Sequence, residues 1–122
     1  MRAALSDASC EQLGSFFTIF AHVTRIRILC ALQQGPQTVT SIAAYAGLSV
    51  PNTSQHLRLM RDRGAVIAEK HAQNVYYRIA DSRFAQAMDL IRQALIERME
   101  QKMKTVSTAA PRRGPTKILQ PA

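Results

Sequence analysis

Ser49 to Gly64 reads SVPNTSQHLRLMRDRG, and its periodicity decides how the rest of the chain is arranged. Thr53, Leu57 and Met60 recur at i, i+4 and i+7, which places them on one inward stripe of a helix. The opposite face carries Asn52, Gln55, His56 and Arg58, with Arg61 and Arg63 behind them. A carboxamide can bond an adenine edge at two points and a guanidinium can do the same to guanine, so this face has the chemistry of a groove reader. Ser49 suits the N-cap, Pro51 the first turn, where a missing N–H costs little, and Gly64 the stop. Many surface helices of no special function carry similar side chains, so the neighbouring elements must decide.

Upstream, Leu13, Phe16, Phe17 and Phe20 share one face of a predicted helix from about Cys10 to Phe20, after a mobile N-terminus over residues 1–9. Gly14 weakens that helix by about 1 kcal/mol relative to Ala, so packing must supply its order. Thr24 is the expected N-cap of a second helix, with Ile28, Leu29 and Leu32 inward and Gly35-Pro36 at its end. A third, short helix spans Gln37 to Gly47, capped by Thr38 or Thr40, with Ile42, Ala43 and Ala46 inward. Leu48 and Ser49 then turn the chain into the opening stretch. Two helices joined by about four residues including a Gly form a helix-turn-helix, whose second helix is the reader.

After Gly64 the period changes. AVIAEKHA and NVYYRIA alternate as strands, with Gln73-Asn74 at the bend, and make a hairpin with a polar, cationic tip. Lys70, His71, Gln73 and Asn74 on such a wing would reach phosphates or the minor groove. From Asp81 to about Lys104 a long helix is expected, capped by Asp81 or Ser82. Its Phe84, Met88, Ile91, Leu95 and Met99 approach coiled-coil spacing and predict pairing with a second copy and with the Phe-rich first helix. Residues 105–122 hold three prolines and Arg112-Arg113 without periodicity, and read as a disordered basic tail. The predicted class is mainly α with a β-hairpin wing, in the order α-α-α-α-β-β-α, with one DNA-binding and dimerisation domain over residues 10–104.

Sixteen Lys and Arg against eight Asp and Glu give a formal charge of +8, which favours a polyanionic partner. No acid lies between Glu11 and Asp62, so one face of the domain is expected to be positive. No apolar run reaches the roughly 18 residues of a membrane span, and Asp7 and Glu11 interrupt any secretory signal. The expectation is a soluble, cytoplasmic protein without a membrane partner. Two cysteines cannot build a disulfide framework and are expected as thiols. No carboxylate pair, Ser-His-Asp set, Gly-rich phosphate loop or metal-ligand spacing is present, which argues against an enzyme and against a cofactor.

The order of elements and their motifs resemble the ArsR/SmtB winged-helix repressors over roughly residues 16–97. The resemblance is carried by HVTRIRILCAL from His22, by SIAAYAGLSVPNTSQHLRLMRDRGAV from Ser41, and by QNVYYRIAD from Gln73. It implies a homodimer that binds a palindromic operator in double-stranded DNA and leaves it when an inducer binds or modifies the protein. The DNA-facing set would be Ser49, Pro51, Asn52, Thr53, Ser54, Gln55, His56, Arg58 and Arg61 on the reader, with Lys70, His71, Gln73 and Asn74 on the wing. Arg78 joins Arg58, Arg61 and Lys70 as an expected phosphate contact. Val50 stands where the family often has a polar residue.

The family's inducer sites match only in part. Members with a Cys-Val-Cys-like pair on the third helix carry thiolates where this chain reads Pro36-Gln37-Thr38-Val39-Thr40-Ser41. Zinc-type members use an Asp, two His and a Glu; Asp81 and Glu97 are suitably placed, but Arg83 and Ala94 stand at the histidine positions. Cys30 occupies the place of the first sensing cysteine of the sulfur- and redox-responsive members. Their second lies near Leu95 and Ile96, where this chain has none, leaving Cys10 as the substitute. Arg27, one turn before Cys30, is the nearby cation that would favour a thiolate. The inducer classes left open are an oxidant, a persulfide, a thiophilic metal or an organic molecule. The alternatives are inert apolar cysteines, a metal-responsive repressor with a non-standard site, or a winged helix used as a protein-interaction module. His22 is expected to pack or cap, and His56 to touch DNA or brace the reader against the wing.

Overall fold

The computed structural model describes residues 5–109. The elements are α1 (Asp7–Phe17), a 3-10 turn (Thr18–Ala21), α2 (Val23–Leu32), β1 (Gln37–Thr38), α3 (Val39–Ala46), α4 (Val50–Asp62), β2 (Val66–His71), β3 (Asn74–Ile79) and α5 (Ser82–Ala109). The chain divides into two compact units at Ala85 and Gln86.

In the first unit the predicted inward residues form the core. Ile19, Ile28, Ile42, Leu57 and Met60 are all 0% exposed and Val66 is 2% exposed, so the 3-10 turn, three helices and the first wing strand meet at one centre. Each such side chain contributes about 1.5–3 kcal/mol by leaving water. The caps are local and specific. The Ser49 hydroxyl accepts from the N–H of Asn52 at 3.2 Å, and the Thr38 hydroxyl accepts from that of Ser41 at 3.2 Å. Gly47 closes α3 with φ 72, a left-handed conformation that glycine adopts at little cost.

Several boundaries differ from the sequence expectation. The first helix begins at Asp7 because Ser6 caps it, accepting from Ser9 N–H, and Asp7 sits favourably in its first turn. It ends at Phe17 rather than Phe20, and no residue of α1 is buried; the buried member of this region is Ile19 in the 3-10 turn. Phe16 instead packs at its ring edge on Phe20, at 5.5 Å between centroids, and against Phe84 at 4.7 Å. The cap of α2 is His22, whose Nδ1 accepts from the Thr24 N–H at 3.2 Å, so Thr24 lies inside the helix.

The two-residue strand β1 was not expected, since so short a segment shows no alternation. It pairs antiparallel with β3, Gln37 opposite Tyr77 and Thr38 opposite Tyr76, giving the sheet order β1-β3-β2. The hairpin turns one residue earlier than predicted: His71 pairs with Asn74, leaving Ala72 and Gln73 in the loop. Ala72 takes φ 58, a conformation that costs an alanine about 1 kcal/mol or more.

Asp81 introduces α5: its Oδ1 accepts from the backbone N–H of Arg83 at 2.9 Å. The Arg83 side chain bonds both carboxylate oxygens. Those side-chain bonds first, and the backbone bond second, hold the Asp81 carboxyl down at about 2.

In the second unit, α5 continues to Ala109, five residues past the predicted end. Thr105 does not break it, because its hydroxyl donates to the Gln101 carbonyl one turn back at 3.0 Å, and after Pro51 the next proline in the sequence is Pro111. The expected tail beyond residue 109 lies outside the described residues. Along this helix Ile91, Leu95, Met99, Met103 and Val106 are each more than half exposed. No single helix among the described residues is long and apolar enough to cross a membrane.

Candidate nucleic-acid interface

The reader is held from within and presented outward. Thr53, Leu57 and Met60 are its buried residues, and Ser49, Pro51, Asn52, Gln55, Arg58 and Arg61 are exposed, with Ser54 half-buried. Amides and guanidiniums therefore occupy the free face. Arg61 stands 3.8 Å from Asp62, a loose exposed pair that leaves its charge available.

Thr53 corrects the predicted set. It is 0% exposed, and its hydroxyl donates to the Ser49 carbonyl at 2.8 Å, so it steadies the first turn and presents nothing outward. His56 is only half-buried, but its ring meets His22 edge-on, with centroids 5.2 Å apart. It braces the reader against the start of α2, not against the wing. Arg63 lies beyond the reading face: its guanidinium donates to the Thr18 hydroxyl at 2.8 Å and to the Ser15 carbonyl at 3.4 Å. The end of α4 is thereby tied to the α1 end and the turn that follows.

On the wing, Lys70, His71, Gln73 and Asn74 are all exposed. The His71 ring lies 5.8 Å from Tyr76, and its Nε2 is 3.9 Å from Glu69. Arg78 does not join them as a free cation. It is half-buried and donates through Nε and Nη2 to Glu69 Oε2 at 3.3 and 3.2 Å, so its charge is compensated across the hairpin. Sequence periodicity did not mark Tyr45, which is 55% exposed. The signal was there, since Ile42, Ala43 and Ala46 define the inward face of α3 and Tyr45 falls outside it.

Burial, and then the neighbouring His22 and Arg25, lower the His56 pKa below its ordinary 6.5. The folded state thus resists a proton that the unfolded chain accepts. Stability is expected to fall as pH drops below 6.5, until the lowered folded pKa is passed. Urea midpoints between pH 7.5 and 5 should show this, and His56→Gln should flatten that part of the profile; an unchanged slope would count against the ring contact.

The two cysteines lie on different helices, Cys10 exposed on α1 and Cys30 half-buried on α2. Among the described residues no group of three or more His, Cys, Asp or Glu side chains is gathered to hold a metal ion. Asp81 is engaged by Arg83.

A helix-turn-helix followed by a two-stranded wing, with a basic and amide-bearing second helix, defines a winged-helix DNA-binding regulator. The family model for bacterial regulatory proteins of the arsR family matches residues 22–68. The regulator YgaV of Escherichia coli is 38% identical over 74 residues, covering 60% of this chain and 75% of that protein. The regulator CmtR of Mycobacterium tuberculosis is 38% identical over 92 residues, 75% of each chain. In structure, the homodimeric winged helix-turn-helix DNA-binding domain from Mycobacterium bovis superposes with a TM-score of 0.73 at 29% identity, over 81% of this chain and 94% of that one. The chain belongs to the ArsR family of transcriptional regulators.

Proposed function

We propose that the chain is a homodimeric repressor that places the two copies of α4 in successive major grooves of a palindromic operator and is released through thiol chemistry at Cys30. The observation that carries the DNA-reading part is the division of α4 between a fully buried stripe and an exposed face of Asn52, Gln55, Arg58 and Arg61. Asn52 and Gln55 supply base-edge contacts, while Arg58, Arg61 and the wing's Lys70 supply phosphate contacts. Pairing of two chains is supported by the apolar residues that α5 exposes and by the homodimeric domain of Mycobacterium bovis.

Release by an oxidant, persulfide or thiophilic metal is supported by Cys30, a half-buried thiol on α2, and by its place among the resembling sulfur-responsive repressors. Cys10, on α1, is the second thiol available. The deciding measurement is operator binding by wild type, Cys30→Ser and Cys10→Ser, each before and after treatment with oxidant, persulfide and thiophilic metal. Wild type should release DNA and Cys30→Ser should hold it. Release by both alike removes Cys30 from the switch without touching the DNA-reading assignment. Arg58→Ala, Arg61→Ala and Lys70→Ala each remove one cation from the phosphates, and each should lower the log–log salt slope by about 0.9.

A further inference from the structure

We infer that Val50 reads the 5-methyl group of a thymine in each half of the operator. The inference rests on the DNA-reading role of α4 and adds what kind of base its leading residue selects. Val50 is the first residue of α4 and is 41% exposed. Helical side chains lean toward the N-terminal end of their helix, so a side chain in the first turn projects past it. In a docked helix-turn-helix that end of the reader carries the side chains that meet base edges.

Asn52 and Gln55 can satisfy polar edges. Val50 has no hydrogen-bonding atom, and the core does not need it, because Thr53, Leu57 and Met60 already fill the inward stripe. Nor does the helix need it: a β-branched residue is a weaker helix former than Ala or Glu. Its exposed branched surface fits one chemical feature of the major groove, the thymine methyl, which is the groove's apolar group. Pro51 beside it is also exposed and has a fixed φ, and valine has few rotamers to lose. Little conformational freedom is given up when this apolar tip meets a base, which favours a selective contact.

The experiment uses the full chain and an operator recovered by selection from random duplexes. Thymine is replaced by uracil one position at a time, symmetrically in both halves, which removes the methyl and leaves the pairing edge unchanged. Wild type should lose about three- to fivefold in affinity per half-site at one thymine, the effect of one apolar group returned to water. Val50→Ser should bind thymine and uracil duplexes alike, while Val50→Thr, which keeps one methyl, should retain part of the discrimination. Circular dichroism should report an unchanged fold, since the side chain lies outside the core. The inference is overturned if uracil weakens wild type at no position, if the selected operator has no thymine, or if Val50→Ser discriminates as wild type does. Absence of binding to any duplex would instead overturn the reading of α4 on which it rests.

Discussion

A Leu95→Glu variant is expected to sediment as a monomer and to lose operator affinity by about a hundredfold or more. Leu95 is 59% exposed on α5, between Ile91 at 55% and Met99 at 66%, and this apolar line follows the spacing of a helix–helix seam. In a symmetric pair the substitution enters twice and sets two carboxylates in an apolar contact, where unpaired charge is costly. The fall in DNA affinity follows from linkage. Two readers held together bind the second half-site at a high effective concentration, which typically multiplies affinity by about 10²–10⁴-fold, and a monomer forfeits that factor. Because Leu95 is exposed in the single chain, helical content should hold at low temperature. A variant that remains dimeric and binds operator as before would exclude α5 as the seam.

The second large effect separates folding from reading within one helix. Leu57→Ala removes a side chain that is 0% exposed and should cost about 2–5 kcal/mol, read as a fall in urea midpoint. Against a typical total of about 5–15 kcal/mol for a small domain, this is a large share. Gln55→Ala, two residues earlier on the exposed face, should leave that midpoint within about 0.5 kcal/mol of wild type. It should instead relax sequence preference by about 1–3 kcal/mol at the base it contacts. Equal destabilisation by both variants would mean that the two faces of α4 are not divided as described.

The reader and its core stripe were legible because one period runs without interruption from Ser49 to Gly64, with a capping hydroxyl before it and a glycine after it. The wing was legible for the same reason with a period of two. What the two periods do not carry is set by individual side-chain bonds, some within one turn and one between strands. His22, expected to pack or cap, caps α2 because an imidazole nitrogen can accept a backbone N–H, and Thr24, the expected cap, lies inside the helix. The compensation of Arg78 by Glu69 requires the hairpin register that places Glu69 opposite Tyr76, beside Arg78. Thr53 is inward, as its period indicates, and not part of the outward set that the resemblance implies, because its hydroxyl finds a carbonyl one turn back. The end of α5 lies past Lys104 because the loss of periodicity that marks the tail does not itself stop a helix, and the Thr105 hydroxyl is satisfied within it by the Gln101 carbonyl.

Arg63 gives the reader an asymmetry between its two ends. The leading turn of α4 is secured by residues of its own, the Ser49 cap and the buried Thr53, whereas just past the trailing turn one guanidinium reaches Ser15 near the end of α1 and Thr18 in the turn beyond it. The buried stripe holds α4 along its length, and the Arg63 bonds add an attachment at the trailing end that the leading end does not have. Through those two bonds the surface joins the end of α4 to the end of α1, the helix that also carries Cys10, and to the turn after it.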